Sequence, residues 1–447
     1  MPPCSFFMHL KMSVSIDKER GIKYNGGKTS RGRIFFMKPV LYGDGIHDDT
    51  AAIQALIDEG KCEVSLPAPE KFYLISSTLV LPSNFTLRLP RFAEIRLAKG
   101  SNCRMVEVKM RPAPAKRIKE GYHPYCYQIW AFVDDYSDAE EDRVENISII
   151  GGIWNYNNRE QLSNPEQKAA FRPADGEDPH GYTGDAMLFY NVRNLTLSGL
   201  TVKDPVHYGV TLDRVTDFTV EDVTFDYNLG NPIPLNMDGI HLNGNCHRGV
   251  IRNLKGACYD DLVALNAHEG SAGDITDILV DGLYAEGCHS AVRLLTVGEV
   301  VKNIHITNVF GTYYQYTIAL SKHYAGETTG YYDGITLDNI YAAKAPRLEY
   351  FKDLSEEQYP TYAPIYIASD VVVKHLKIDT YHRREYNVPV ETIRVRPGAT
   401  VERLQLSNMT LENHTGREFP FLVNQGEIRT LRQSHLVVDH KEITLRV

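Results

Sequence analysis

The chain has 447 residues, of which 43% are hydrophobic and 23% charged, and its 48 Lys and Arg against 57 Asp and Glu give a net charge of −9. This composition is typical of a folded globular protein and excludes a disordered or collagen-like chain. The length allows one large domain or two to three ordinary ones. Because nucleic acids and anionic membranes attract a surplus of Lys and Arg, we expect neither of them as a partner.

The N-terminus and the cysteines indicate the cellular compartment in which the protein is expected. The apolar stretch at the N-terminus is too short and too interrupted for a secretory signal, and no run of about 18 apolar residues occurs anywhere. Seven scattered cysteines without a Cys-x-x-Cys pair indicate neither a disulfide framework nor a thiolate zinc site. We expect a cytoplasmic protein, secreted only if a native leader is missing, with Met12 as an alternative start.

A short helix is the first element that the sequence predicts. We place an N-terminal extension at 1–38 and a single catalytic domain at 39–447. Within the segment YGDGIHDDTAAIQALIDEG (42–60), Asp48, Asp49 and Thr50 form an N-cap cluster in front of apolar residues at helical spacing. Such a helix, ending near Gly60, would cover the open end of a repetitive structure, and 64–90 reads as its first strands.

The rest of the chain is built from repeats. A motif of alternating apolar residues followed by Asn, Asp or Gly and a second apolar pair occurs seven times, at 145–154, 193–202, 216–225, 276–285, 302–311, 333–342 and 402–411. A second strand-like motif lies between the copies. Its apolar centres are 23, 30, 23, 29 and 26 residues apart, at Met187, Val210, Ile240, Val263, Val292 and Ile318.

This period predicts the fold. Units of 23 to 30 residues with two or three short strands and no helical pattern are typical of a parallel β-solenoid, whereas propellers need about 40 residues per blade. We therefore expect an all-β chain, a single-stranded right-handed parallel β-helix with an N-terminal capping helix. Two longer intervals, 155–183 and 343–362, break the rhythm and are expected as loops beside a cleft.

The same alignment of repeats brings carboxylates together. With the apolar centres in register, Asp238 lies beside Asp261 and Ser290, and Asp260 lies beside His289. Strict alternation would turn Asp238 and Asp261 toward the core, unless a bend before the strand moves them outward. Neighbouring carboxylates raise at least one pKa, which glycoside hydrolysis needs because one group must be protonated and the other ionised.

At this point the sequence resembles a known family. The stretch GDGIHDDTAAIQALID is similar to the entrance of pectin-lyase-like β-helices, and Asn236-Met237-Asp238 followed by Asp260-Asp261 resembles the polygalacturonases, glycoside hydrolase family 28. The resemblance implies a general acid, Asp260, with Asp238 and Asp261 activating water, His289 supporting the acid and Asn236 holding a carboxylate or hydroxyl. It also implies inversion, with carboxyls roughly 6.5–9.5 Å apart.

The sequence departs from that family at two motifs. His289 follows Gly287-Cys288 where the family has Gly-His-Gly, and Ala319-Leu320-Ser321 stands where it has Arg-x-Lys. The displaced cations are Arg293, one coil early, and Lys322, one residue late. In the family such cations bind a uronate carboxylate, so these two are expected to bind a differently placed acid sugar.

Further residues are expected around the acids. His241 and His268 flank the same strands and are assigned to substrate binding, and Tyr316 is assigned to stacking on sugar because it shares the position of Asp238 and Asp261. No metal or other cofactor is expected, because the histidines lack the tight spacing of a zinc site. The expected partner is an oligosaccharide or polysaccharide, and nothing in the sequence indicates an oligomer.

Three functions stay open at this level. The leading one is a glycoside hydrolase that cleaves a pectin-related or other acidic saccharide. A polysaccharide lyase or epimerase on the same scaffold would use Arg293 as a base and produce a double bond or an inverted centre. A non-catalytic carbohydrate-binding solenoid would be insensitive to mutation of Asp260.

Overall fold

The computed structural model describes residues 40–113, 136–163, 184–322 and 328–446. From Leu41 onward the chain forms one compact unit. The predicted N-terminal extension, 1–38, lies outside the described residues. Over the described ranges, the structure contains no helix long and apolar enough to span a membrane.

A short helix covers the start of the solenoid, as predicted. Helix α1 comprises Thr50–Ile57 and buries Ile53 and Ile57. Its Gln54 bonds to the free edge of the first coil: the side-chain Nε2 donates to Val80 O (3.0 Å) and Oε1 accepts from the Val80 amide (2.9 Å). The helix therefore supplies the hydrogen bonds that an unpaired strand edge would otherwise lack.

The cap of this helix differs from the prediction. Asp49 is the N-cap residue but makes no side-chain cap bond. Its carboxylate instead accepts from the amides of Tyr42 (2.6 Å) and Gly43 (3.2 Å), while Asp48 accepts from the Thr50 amide (2.9 Å). The acidic pair thus fixes the entrance turn as well as the helix start.

Twenty-six strands follow in the described residues. The first eight, β1 to β8, are Glu63–Ser65, Tyr73–Ile75, Leu79–Leu81, Phe85–Arg88, Glu94–Leu97, Val106–Val108, Val144–Ile150 and Ile153–Asn155. The next ten, β9 to β18, are Met187–Ser198, Thr201–Lys203, Val210–Glu221, Thr224–Asp226, Ile240–Leu242, His247–Ala257, Asp261–Asn266, Ile275–Leu295, Val300–Ser321 and Gly330–Lys344. The last eight, β19 to β26, are Ile365–Ile367, Val371–Glu385, Ile393–Val395, Thr400–Asn413, Leu422–Asn424, Glu427–Ile428, Leu431–Val438 and Lys441–Ile443.

The strands stack in register as a parallel β-helix. One ladder of buried apolar residues contains all six of the predicted centres and extends beyond them, through Leu79, Val106, Met187, Val210, Ile240, Val263, Val292, Ile318, Ile365 and Ile393. The pairing of β25 with β26 is antiparallel and closes the C-terminal end. The long interior core is therefore a pile of like residues from successive coils.

The seven motif copies form a second ladder. Their first apolar residues lie in one ladder, at Ile147, Leu195, Phe218, Ile278, Ile304, Ile335 and Leu404, with Gly249 between Phe218 and Ile278 and Leu376 between Ile335 and Leu404. The Asn and Asp residues that flank them, such as Asn194 (φ 63°), Asp217 (φ 58°) and Asn303 (φ 54°), have left-handed backbone conformations. Asn, Asp and Gly tolerate this conformation best, which explains their recurrence at the bends.

Only one of the two irregular intervals lies wholly within the described residues. Between Lys344 and Ile365, the chain leaves the repeat and contains only the short 3-10 helix Glu349–Phe351, as predicted for an excursion. The other interval includes the 3-10 helix Asn158–Glu160, and its residues 164–183 lie outside the described part.

Candidate active site

The predicted carboxylates meet on the outer face of the β-helix. Asp261, Ser290 and Tyr316 are register partners on β15, β16 and β17, and the Asp261 amide donates to Asp238 Oδ1 (2.8 Å). These contacts confirm the alignment of coils that the repeat predicted.

A bend before each strand moves two carboxyls outward. Ile240 and Val292 point into the core, so His241 and Arg293 lie on the opposite face. Asp238 Oδ2 is hydrogen-bonded to His241 Nδ1 (2.6 Å), and Asp261 Oδ2 lies 2.7 Å from Arg293 Nε. The inward direction expected from strict alternation is therefore not the one adopted.

A glycine permits the close stacking beside Asp238. A Cβ atom on Gly239 would lie 2.5 Å from the carbonyl oxygen of Leu262 on the next coil. Any larger residue would have to push the two coils apart, just where Asp238 meets the Asp261 amide. The Gly that follows Asp238 is thus part of how the two carboxyls approach.

The three carboxyls differ in access to solvent. Asp238 and Asp261 are completely buried, whereas the Asp260 side chain is 17% exposed and the His289 side chain 14% exposed. His289 Nδ1 lies 3.4 Å from Asp260 Oδ1 and 3.9 Å from Asp261 Oδ1. A ligand arriving from solvent would therefore reach Asp260 and His289 first.

Burial and mutual repulsion raise the pKa of the two hidden carboxyls. Burial raises the pKa of Asp238, and the Asp260 charge raises it further against the opposing effect of His241. Burial also raises the pKa of Asp261 well above its usual value, opposed by Arg293 and supported by Asp260 and Asp238. A raised pKa is what a general acid needs near neutral pH, and the structure gives it to Asp238 and Asp261, the pair that the resemblance assigns to water activation.

The two histidines of the site have opposite charge states. Burial alone would lower the pKa of His241, but its hydrogen bonds to Asp238 and Glu269 raise that pKa to about 10; its Nε2 lies 3.0 Å from Glu269 Oε2. Burial lowers the pKa of His289 to about 4, helped by Arg293 and opposed by Asp260. At neutral pH His241 is therefore a cation between carboxylates, and His289 is a neutral imidazole beside Asp260.

Arg293 is occupied within the site. Burial works against its charge, but the charges of Asp261, Asp260, Glu269 and Asp238 hold the pKa of Arg293 well above its usual value. Its ion-pair partner is Asp261, with Nε 2.7 Å from Oδ2, and its side chain is 16% exposed. Arg293 is thus an ion-pair partner of the acid cluster, and its contact with an acid sugar stays a prediction.

Three other ligands predicted from the sequence are His268, Asn236 and Lys322. His268 is paired with Glu299, with Nδ1 2.8 Å from Oε1. Asn236 occupies a left-handed turn (φ 55°) two residues before Asp238. Lys322 is partly buried and is the last residue of the described range 184–322. Their assignment to substrate binding stays a prediction.

Tyrosines line the C-terminal side of the site. The rings of Tyr314 and Tyr316 stand edge-on to His289, at centroid distances of 5.1 and 6.4 Å. Tyr316 contacts Tyr362 at 4.9 Å and Tyr366 at 5.6 Å. The hydroxyl groups of Tyr314 and Tyr359 are buried without a hydrogen-bond partner in the described residues.

A buried lysine fixes the backbone behind these rings. Lys344 is 1% exposed, and its Nζ donates to the carbonyl oxygens of Tyr314 (2.7 Å) and Gln315 (2.5 Å). Burial lowers its pKa to about 7, with Arg383 acting in the same direction. Lys344 therefore helps to fix the backbone that carries Tyr314 and Tyr316.

Sequence reasoning missed several of these residues. Tyr359 and Tyr362 belong to the interval that it predicted as an excursion, so only their neighbourhood was indicated. Glu269 and Lys344 carried no motif that would have singled them out, since their roles depend on contacts with other coils.

Three side chains could hold a cation. Asp260, Asp261 and His289 each offer a ligand atom, and these atoms lie within 4.8 Å of one another. Carboxylate and imidazole are suitable ligands for several divalent metals. However, the Arg293 charge is already 2.7 Å from Asp261 and opposes a second cation there.

The fold and site define a parallel β-helix with a carboxylate cluster on its outer face. No protein-family model matches the sequence, and no curated protein matches it. Solved structures do match. A mutant tailspike protein of E. coli bacteriophage HK620 in complex with a pentasaccharide has a TM-score of 0.60 at 13% identity, covering 92% of this chain and 66% of that one.

A second solved structure covers both chains almost fully. The endo-xylogalacturonan hydrolase from Aspergillus tubingensis has a TM-score of 0.52 at 14% identity, over 90% of this chain and 91% of its own. At such low identities the likeness shows the fold alone. That fold is the right-handed parallel β-helix that the sequence predicted.

Proposed function

We propose that the protein is a glycoside hydrolase that cleaves an oligosaccharide or polysaccharide, with Asp260 as the carboxyl that meets the substrate. The observation that carries this proposal is the cluster of Asp260, Asp261 and His289, whose polar atoms lie within 4.8 Å of one another. Asp238 adjoins the cluster through its bond to the Asp261 amide. Coupled carboxyls with different access to solvent are what a two-carboxylate hydrolysis uses.

Asp260 is assigned the proton transfer to the glycosidic oxygen. Of the three aspartates it alone has an exposed fraction, and a neutral His289 beside it does not compete for the negative charge.

Asp261 is the candidate for activation of water. The Arg293 guanidinium, with Nε 2.7 Å from Asp261 Oδ2, favours the ionised carboxylate that a base requires, and Asp261 Oδ1 faces His289 at 3.9 Å. Asp238 is less available because both its oxygens are bonded, to His241 and to the Asp261 amide. This division of roles separates the two residues that the family resemblance treats as a pair.

The stereochemical outcome needs measurement. Oxygens of Asp260 and Asp261 lie within 4.8 Å, closer than the roughly 6.5–9.5 Å typical of inverting enzymes. We retain inversion as the proposed course because the family resemblance implies it. Proton NMR of the first product formed would show whether the anomeric configuration is inverted or kept.

A lyase or epimerase is the less favoured alternative. It would use Arg293 as a base, but the pKa of Arg293 is raised well above its usual value by four nearby carboxylates. A guanidinium held this firmly in its charged form cannot accept the proton next to a uronate carboxylate. The charge of Arg293 therefore favours hydrolysis.

The test is a product assay on a panel of pectic, rhamnogalacturonan, xylogalacturonan and neutral oligosaccharides. The first ligands to test are saccharides because two solved proteins of this fold are a pentasaccharide-bound tailspike and a xylogalacturonan hydrolase. We expect new reducing ends without near-ultraviolet absorbance, lost in Asp260→Asn. Absorbance from a new double bond would establish a lyase, and binding without any product would establish a carbohydrate-binding solenoid.

A further inference from the structure

The outer face of the β-helix continues past the acids toward the C-terminus. Outward residues on consecutive coils are register partners in the order Arg293, Ala319, Tyr366 and Arg394. Arg394 and Arg396 flank the inward Val395. Arg394 lies on strand β21, four coils beyond β15, and Arg396 directly follows that strand. By alternation around Val395, both are on the face that carries the acid cluster.

A tyrosine cluster connects the acids to these arginines. Tyr316 lies 6.4 Å from His289 between ring centroids, and its ring contacts those of Tyr362 (4.9 Å) and Tyr366 (5.6 Å). All three tyrosines are partly exposed. Tyr366 is the register partner of Arg394, so the aromatic surface has no gap between the acids and the arginine strand.

The two arginines differ in their pairing. Arg394 forms an ion pair with the buried Glu391. Arg396 is partly exposed, and over the described ranges it has no carboxylate within ion-pair distance and a buried Nε without a hydrogen-bond partner. The charge of Arg396 acts on Tyr362 and Tyr366, where it opposes the raising of their pKa by burial.

We propose that Arg396, together with Tyr316, Tyr362 and Tyr366, forms a remote subsite for a carboxylate-bearing sugar of the substrate. The proposal rests on the hydrolase function proposed above and locates the acidic group of its substrate. Arginine presents a planar fork that matches a carboxylate, and flat phenol rings stack on sugar faces while their edges accept polar contacts. Arg396 offers this combination, because its guanidinium has no ion-pair partner within the described ranges and its charge acts on Tyr362 and Tyr366.

The position of the subsite sets the length of the ligand. Four coils separate β15 from β21, and stacked strands are about 4.8 Å apart, so the arginine end of the subsite lies ~19 Å along the face from Asp261. Only an oligosaccharide of several sugars reaches both places. This geometry explains the absence of a cation at Ala319 and Ser321, because the cation that selects an acidic substrate, Arg396, lies on the same face two coils later.

The test is a binding experiment that does not depend on turnover. All variants carry Asp260→Asn, and isothermal titration calorimetry measures Kd for galacturonate oligosaccharides of increasing length and for the same chains with carboxyls reduced to alcohols. Because a charge-assisted hydrogen bond contributes about 1.5–3 kcal/mol, Arg396→Ala should weaken long acidic chains roughly tenfold or more. Short chains and reduced chains should bind as before.

The matched control is Arg403→Ala, which removes the same charge from an exposed residue of the second ladder. It should leave every affinity unchanged, and Arg396→Lys should recover only part of the loss because lysine lacks the fork. Thermal unfolding of each variant verifies that it is folded.

Two results would overturn the subsite. One is that the Asp260→Asn protein binds acidic chains no more tightly than reduced ones; the other is that Arg396→Ala weakens short or reduced chains as much as long acidic ones. If the wild type binds as expected but forms no product, the subsite stands and the hydrolase proposal fails.

Discussion

The N-terminal and C-terminal halves of the site differ in how far their polar and charged side chains are buried. On the N-terminal side, Asp238, His241 and Glu269 are buried and bonded to one another, and the rings of Tyr208 and His241 stack at 3.8 Å. On the C-terminal side, Asp260, His289 and Tyr316 are partly exposed. The same outer face therefore contains a sealed polar cluster next to an open one.

The difference follows from the cost of burying charge. An ionised group removed from water must be paired, so the buried charges of the sealed half are bonded to one another. The open half includes groups that lack a hydrogen-bond partner in the described part of the chain, such as the buried hydroxyls of Tyr314 and Tyr359. We infer that the sealed half sets the electrostatic field and that the open half contacts the substrate.

The largest effect should come from removing the open carboxyl. Asp260→Asn keeps the shape of the side chain but cannot donate a carboxyl proton, so activity on natural glycosides should fall by about 10²–10⁴. Loss on an aryl glycoside, whose leaving group needs no proton, should be much smaller. Steady-state kinetics on the two substrates provide the measurement.

The control for this change is Asp338→Asn, which removes a carboxylate from β18 on a different face. It should have ordinary activity on both substrates. Equal losses on the two substrates in Asp260→Asn would transfer the acid role to Asp261 or Asp238.

The next largest effect should come from breaking the ion pair between Arg293 and Asp261. Arg293→Met leaves Asp261 buried without its cation, and breaking a buried ion pair typically costs about 3 kcal/mol or more. Urea unfolding should show this loss. Adding Asp261→Asn should restore much of the stability because no unpaired charge is then buried, and a double-mutant cycle quantifies the coupling. Additive effects would show that the two side chains do not interact.

A smaller effect distinguishes the histidines by their protonation. At pH 7 nitrogen-15 shifts should report a cationic His241, with a pKa of about 10, and a neutral His289, with a pKa of about 4. The raised pKa of His241 stabilises the fold below pH ~6.5, and that stabilisation is lost as the pH rises toward 10.

For His289 the sign is opposite. Its folded pKa is lowered, so the unfolded chain binds the proton first, and stability is lost as the pH falls from ~6.5 toward 4. Each histidine contributes at most about 1.4 kcal/mol per pH unit. If both rings were protonated to the same extent at pH 7, the division of the site into a sealed half and an open half would be contradicted.

The smallest effect is expected from removing metals. Asp260, Asp261 and His289 have the spacing of a cation site, but Arg293 already places a positive charge beside Asp261. A chelator such as EDTA should therefore change the activity by no more than about twofold, because the activation barrier should stay nearly the same. A loss that calcium or zinc restores would instead identify these three residues as a metal site.

The sequence by itself determined the repeat and everything that depends on its register. The spacing of Met187, Val210 and Ile240 predicted one ladder, and the structure confirms it. Asp261, Ser290 and Tyr316 were likewise predicted to be neighbours and are paired. Register is readable because each coil repeats the same apolar pattern, and a slip of one residue would turn the whole pattern to the wrong face.

Only the tertiary structure decided which charges are buried and with what they are paired. The outward bend of Asp238, the Glu269 bond to His241 and the pairing of Arg293 with Asp261 have no periodic signal. Tyr362 comes to Tyr316 from a loop outside the repeat. Such contacts join residues of different coils and loops, and their energies depend on local burial, which a repeat pattern does not encode.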